Sequence, residues 1–122
     1  MRDNLARLRT LHEKMNGESV PLEEYFQTCP DYMFIVSGST QTIRSYNGSV
    51  KRNIGEYVFG KKFFEVVGVG PQAVELPTSS KNHARFFGEV LLLDGTNKVL
   101  DFNSTYIASG DYLIVVGREP LT

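Results

Sequence analysis

Residues 84–117 read ARFFGEVLLLDGTNKVLDFNSTYIASGDYLIVVG, and this stretch decides the fold. Ala84 to Leu93 and Lys98 to Ile107 carry apolar, aromatic and β-branched residues. They flank Asp94-Gly95-Thr96-Asn97, which contains the Asp-Gly pair favoured in hairpin turns. Ser109-Gly110-Asp111 joins the second run to a third, Tyr112 to Gly117. The spacing predicts a three-stranded antiparallel meander. Alternation along the middle strand puts Leu100, Phe102, Ser104 and Tyr106 on one face and Asp101, Asn103 and Thr105 on the other. Val90 and Leu92, together with Tyr112, Ile114 and Val116, are expected on the face of Phe102.

Toward the N-terminus the pattern is again extended, then helical. Tyr32 to Val36 and Gln41 to Tyr46 flank the turn-forming Ser37-Gly38-Ser39-Thr40 and predict a hairpin. Asn47 to Gly70 places glycines between short apolar groups, which suits short helices and turns better than more sheet. Ser19 and Pro21 signal a helix start, with Glu23 and Glu24 favourably placed in its first turn and Leu22, Tyr25 and Phe26 as its apolar face. Cys29-Pro30-Asp31 ends it. Leu5, Leu8, Leu11 and Met15 recur at helical spacing among charged residues, and Asn16-Gly17 would close that amphipathic helix.

Two strands, a short-helix segment and a three-stranded meander, preceded by an amphipathic helix, resemble the layout of a PAS domain. PDYMFIVSG at 30–38 resembles the first PAS strand and turn, and RSYN at 44–47 the second strand with its closing Asn. YVFGKKFFEVV at 57–67 is similar to the family's apolar helix segment, and the meander ending in GRE at 117–119 to its last three strands. The resemblance implies an α+β fold with a five-stranded antiparallel sheet. It divides the chain into an N-terminal helical flank at 1–28, the PAS-like domain at 29–119 and a tail at 120–122. Two places depart from the family. PQAVELPTSSKNH at 71–83 allows only a short turn or two where many members carry a long helix, and Pro120 disfavours a helix running on from Glu119.

Composition narrows the chemistry. The chain has 122 residues, 41% hydrophobic and 22% charged, with a net charge of -1, enough for one domain with a core but no sign of a phosphate-neutralising protein. No apolar run nears the ~18 residues of a membrane span and MRDNLARLRTLHEK lacks the apolar centre of an export signal, so a cytoplasmic protein is expected. One cysteine, Cys29, excludes an internal disulfide and any multi-cysteine metal site, and two histidines, His12 and His83, disfavour a histidine metal site. Gly68, Gly70 and Ala73 fit the spacing of a dinucleotide fingerprint, but Pro77 leaves no room for the helix that would hold the pyrophosphate. A helix end followed by a turn is expected there. Lys51, Arg52, Lys61, Lys62 and Arg44 are expected as solvated surface, without nucleic-acid binding.

The resemblance implies no catalytic residues of its own. Some family members bind haem through a histidine near the place of His83, yet here His83 lies in the polar run 79–85, where a solvated loop histidine is expected. The Asn-Cys-Arg-Phe motif of the family's flavin photoadduct members is absent. No cofactor is assigned. A face built from Phe34, Tyr46, Asn47, Phe63, Val90, Leu92, Phe102, Ser104, Tyr106, Ile114 and Val116 would either pack solid or leave a small ligand pocket, with Ser104 and the tyrosine hydroxyls as anchors. Two heptads are too short for a free coiled coil, so Leu5, Leu8, Leu11 and Met15 either fold back on the sheet of the same chain or pair with a second copy, and the resemblance implies that this flanking helix is a homodimer contact. The expected function is a sensory or interaction module that binds a small ligand or a partner and relays a packing change through its flanking helix to an attached or separate effector such as a kinase domain. The alternatives are a small cone-shaped enzyme using His83 and Asp101 as an acid-base pair, and a purely structural dimerisation module.

Overall fold

In a computed structural model, the structure describes residues 22–120. The elements run α1 (Leu22–Thr28), β1 (Tyr32–Ser37), β2 (Ile43–Tyr46), α2 (Gly48–Asn53), a single helical turn at Glu56–Val58, α3 (Phe63–Val66), β3 (His83–Leu91), β4 (Asn97–Ile107) and β5 (Tyr112–Arg118). The strands form one antiparallel sheet in the order β2-β1-β5-β4-β3. The stripe Leu5, Leu8, Leu11 and Met15 lies outside the described residues.

Turn chemistry sets the register. In the β3–β4 turn Gly95 adopts φ 89°, a left-handed value that favours glycine, and the Asp94 carboxylate accepts hydrogen bonds from the Thr96 backbone N–H at 3.0 Å and hydroxyl at 2.6 Å. That turn fixes Phe86 opposite Phe102 and Arg85 opposite Asn103. The tighter β4–β5 connection places Phe102 opposite Gly117 and Ser104 opposite Val115.

The sheet has two different faces. The inner face, with α2, α3 and the Glu56–Val58 turn laid on it, forms the main core: Phe34, Val36, Ile43, Val50, Ile54, Val58, Phe63, Val67, Leu100, Phe102, Leu113 and Val115 are all buried there. The outer face has a smaller cluster in which Phe26 of α1 covers Met33, Ile114 and Val116. Here the structure corrects the expected face assignment. Ile114 and Val116 belong to the outer face, and Leu113 and Val115 stand beside Phe102 and Ser104. β5 is a central strand covered on both sides, so its run Leu113 to Val116 is apolar without alternation and carries no internal mark of which parity points inward.

Two further expectations change. The segment 71–82 contains no helical turn at all. It crosses the inner side as irregular chain with Leu76 and Pro77 buried, anchored where Gln72 Nε2 donates to the carbonyls of Val69 and Phe87. His83 is not in a loop but opens β3 opposite Thr105, half-buried. Gly68 and Gly70 fall as expected after a helix end, with Gly68 bridged to the β3 edge at Glu89 and Gly70 in a turn at φ 61°.

Candidate functional site

Most of the expected pocket residues do converge, and they fill the space between sheet and helices with aromatic rings. Phe63 is the centre. Its ring meets Phe34 at 5.6 Å, Phe64 at 5.3 Å, Phe86 at 6.2 Å and Phe102 at 5.7 Å, each edge to face. Phe86 in turn stacks on Phe102 at 5.4 Å with an interplanar angle of 19°. Such geometries place the positive ring edge on the negative ring face and add to burial. Val90 is buried in the same cluster, and Tyr46, Leu92 and Tyr106 pack against its margin.

Every polar group expected as a ligand anchor already has a partner in the chain. The Ser104 hydroxyl, fully buried, donates to the Ala84 carbonyl at 3.1 Å. Tyr46 donates to Glu56 Oε1 at 3.2 Å and Tyr106 to Asp111 Oδ1 at 2.9 Å. Burial, and then the Glu56 carboxylate, raise the Tyr46 hydroxyl's pKa. The Asp111 hydrogen bond is what chiefly raises that of Tyr106.

Asn47 is buried too, but as a clamp. Its Oδ1 accepts from the backbone N–H groups of Met33 at 3.1 Å and Val50 at 3.3 Å, capping α2. Its Nδ2 donates to the carbonyls of Asp31 at 2.8 Å and Cys29 at 3.3 Å, with the Ser49 hydroxyl reaching the latter at 2.8 Å. One side chain therefore joins the end of α1, the start of β1 and the start of α2.

The outer face carries the charge. Arg85 on β3 grips Asp101 on β4 in a two-pronged ion pair, Nε to Oδ1 at 3.0 Å and Nη2 to Oδ2 at 2.6 Å. Asp101 stands opposite Arg118 on β5, whose Nη2 lies 3.2 Å from Asp31 Oδ2 just before β1. Cations and anions thus alternate in a row across the sheet. The Arg85 hydrogen bond holds the Asp101 carboxyl below its usual range, against a smaller opposing effect of burial, and raises Arg85 in return. Burial chiefly pushes the Cys29 thiol up. A surface depression between Pro30, Asp31, Tyr32, Arg118 and Glu119 ends this row.

His83 and Asp101 share the outer face without sharing a pocket. His83 lies opposite Thr105, with Nδ1 3.5 Å from its hydroxyl, and the Asp101 carboxylate is held by Arg85. Among the described residues no three His, Cys, Asp or Glu side chains are placed to hold a metal ion, and no helix is long and apolar enough to cross a membrane.

Sequence reading did not foresee two groups. Phe86 and Phe64 complete the aromatic cluster, and the alternation of β3 marks Phe86 as inward once the Asp94-Gly95 turn is taken as its origin. Phe87, Leu91 and Val99 are exposed on the outer face, and Tyr57, Phe59 and Leu93 are exposed elsewhere. Their mark in the sequence is apolar residues at positions whose alternation calls for polar ones.

No protein-family model matches the sequence, and no curated protein sequence does. Solved structures do match its shape. The PAS domain of an HTR-like protein from Haloarcula marismortui superposes with a TM-score of 0.64 at 16% identity, covering 88% of this chain and 99% of that one. The PAS domain of nitrogen regulation protein NR(II) from Vibrio parahaemolyticus gives 0.61 at 12% identity, covering 80% and 96%. A domain of a sensory box sensor histidine kinase/response regulator from Geobacter sulfurreducens gives 0.60 at 14%, covering 96% and 98%. The chain has the PAS fold: a five-stranded antiparallel sheet wrapped on one side by short helices.

Proposed function

We propose that this chain is a cytoplasmic sensory and protein-interaction module of a signal-transduction system, without catalysis of its own. It works as a homodimer and passes a change of sheet packing to an attached or separate effector such as a kinase domain. The fold it shares with a domain of a sensory box sensor histidine kinase/response regulator supports the signalling part.

The observation that carries the interaction part is the contrast between the two faces. The inner face is filled by Phe34, Phe63, Phe86 and Phe102, and its polar groups are satisfied within the chain. A small ligand entering there must displace aromatic contacts, so partner binding is favoured over ligand capture as the input. The outer face presents Phe87, half exposed, beside Val99 and Leu91. α1 is mounted on that same face through Phe26. Leu5, Leu8, Leu11 and Met15 form an apolar stripe of matching character, and a second copy of that stripe extends the covered area. Shifting the stripe on or off the sheet is a population shift between two packings.

Sedimentation equilibrium of the full chain and of a Leu8→Ser/Leu11→Ser variant tests this. A dimer that becomes a monomer in the variant is expected. A monomeric full chain, or a dimer indifferent to the substitutions, sinks the proposal. Native mass spectrometry of protein taken from cells, with a visible spectrum, tests the choice of input, and a stoichiometric bound small molecule would reverse it.

A further inference from the structure

The helix layer exposes apolar side chains of its own, apart from the outer face of the sheet. Val58 is fully buried, while its neighbours Tyr57 and Phe59 are 53% and 59% exposed. Leu93, 66% exposed, reaches the same place from the end of β3, with its backbone N–H donating to the Asn53 carbonyl at 2.8 Å. Tyr57 and Leu93 converge over Gly55, where an added Cβ would lie 3.3 Å from one and 3.4 Å from the other. Gly55 itself has φ 120°, which a side chain would strain.

The aromatic residues are held in place. Gly60 N–H donates to the Ile43 carbonyl at 2.8 Å, Ile43 N–H to the Lys61 carbonyl at 2.8 Å, and Lys61 N–H to the Val58 carbonyl at 3.0 Å. The Glu56–Val58 turn is thereby tied to the edge strand β2. A backbone fixed in this way needs no ordering on binding, so only side-chain freedom is lost there.

Cations flank the turn along the chain and on the strand it is tied to. Lys51 stands 4.0 Å from Glu56 at one end of the turn, and Lys61 and Lys62 follow Phe59 at the other, with Arg44 next to Ile43 on the paired strand. All four are exposed. The chain as a whole is slightly acidic, so this local excess of positive charge is not a property of the whole surface.

We infer that Tyr57, Phe59 and Leu93, with Lys51, Lys61 and Arg44 at the rim, dock an acidic segment of a partner protein that carries apolar or aromatic anchors. Apolar residues at the centre with complementary charge at the rim are the anatomy of a protein contact. A nucleic acid fits less well. Leu93 offers no ring on which a base can stack, and the apolar side chains of the patch are matched by apolar peptide anchors rather than by a sugar-phosphate backbone.

The probe is a phage-displayed library of random dodecapeptides panned on the intact chain, with the best peptide then titrated in fluorescein-labelled form. The expected peptides combine Asp or Glu with Phe, Tyr or Leu, and their affinity falls as salt rises. Phe59→Ser or Leu93→Ser weakens binding by about tenfold or more, Lys61→Glu weakens it as well, and Glu89→Gln on the other face leaves it unchanged. All four positions are exposed, so thermal melts of the variants should match the parent. Peptides without acidic residues, or peptides indifferent to Phe59→Ser and Lys61→Glu, overturn the inference. A labelled single-stranded oligonucleotide or phosphatidylserine vesicle that binds more tightly than any peptide, with the same sensitivity to Lys61→Glu, overturns it in favour of phosphate recognition.

Discussion

The ring of Phe102 lies across Gly117, the residue directly opposite it on β5, so closely that a Cβ on Gly117 would come within 2.5 Å of the ring. Gly88 on β3 leaves room for the same ring on the other side, where a Cβ would also strike Val67. Two glycines in flanking strands thus form the seat of one phenylalanine, and that phenylalanine links the sheet to Phe63 of α3.

Gly117→Ala should therefore lower stability by about 1 to 3 kcal/mol through overpacking, although alanine has the better strand propensity. Phe102→Leu in the same chain should recover part of that loss. Chemical denaturation of the two single variants and the double variant measures the coupling. Strict additivity would mean that the ring does not occupy the glycine's space.

Asn47 offers a second measurement. All four of its side-chain hydrogen bonds lie in buried or part-buried surroundings. Asn47→Ala removes the cap of α2 and strands the Met33 N–H, and should cost about 2 to 3 kcal/mol. Asn47→Asp is the sharper variant. It keeps the acceptor but turns a carboxylate oxygen toward the carbonyls of Asp31 and Cys29, so it should be no more stable than the alanine variant at neutral pH. An aspartate variant as stable as the parent would mean that the Nδ2 contacts contribute nothing.

Much of this was legible in the residues. The succession of strands and short helices along the chain, the hairpin turn at Asp94-Gly95, the shared face of Phe102 and Ser104, and the helix ahead of β1 were read from periodicity and turn chemistry, and the five-stranded antiparallel sheet from the resemblance. What failed has identifiable causes. Ile114 and Val116 were misplaced because β5 is apolar on both faces, whereas counting the register across Ser109-Gly110 sets Ser104 opposite Val115 and gives the correct parity. His83 was assigned to a loop because polar residues surround it, but its pairing with Thr105 is a long-range contact that no local pattern records. The Arg85–Asp101 pair was invisible for the same reason. Asn47 was expected as a pocket residue on the resemblance, and its bonds to Met33, Asp31 and Cys29 are long-range contacts that no local pattern records.

Acid should act on the outer face through Asp101. Arg85 lowers its folded pKa below the ordinary carboxylate value, with Arg118 facing it from β5. The unfolded chain therefore takes up that proton first. The stabilisation is fully present above the ordinary carboxylate pKa and is lost as pH falls through the lowered value. Asp101→Asn should melt lower than the parent at neutral pH and approach it in acid. Salt should narrow the difference, because the Arg85 side chain is 65% exposed. Melting curves from neutral pH to about pH 2 that stay parallel would show that the pair contributes no pH-dependent stability.

The packed interior makes the last prediction. Phe63 touches four other rings, so Phe63→Ala removes the centre of the cluster and should cost about 3 to 5 kcal/mol. That is a large part of the 5 to 15 kcal/mol typical of a domain, and Phe63→Leu is the milder companion should the alanine variant not fold. The space left is lined by Phe34, Phe86 and Phe102, with no unsatisfied polar atom among the described residues to draw in water. An apolar cavity of this kind stays dry and takes small apolar molecules. Benzene should therefore raise the melting temperature of the Phe63 variant while leaving the parent chain unchanged, because a ligand that binds only the folded state stabilises it by mass action. An equal rise in the parent would reveal room for a ligand beside an intact Phe63, and the input would then be a small molecule rather than a partner.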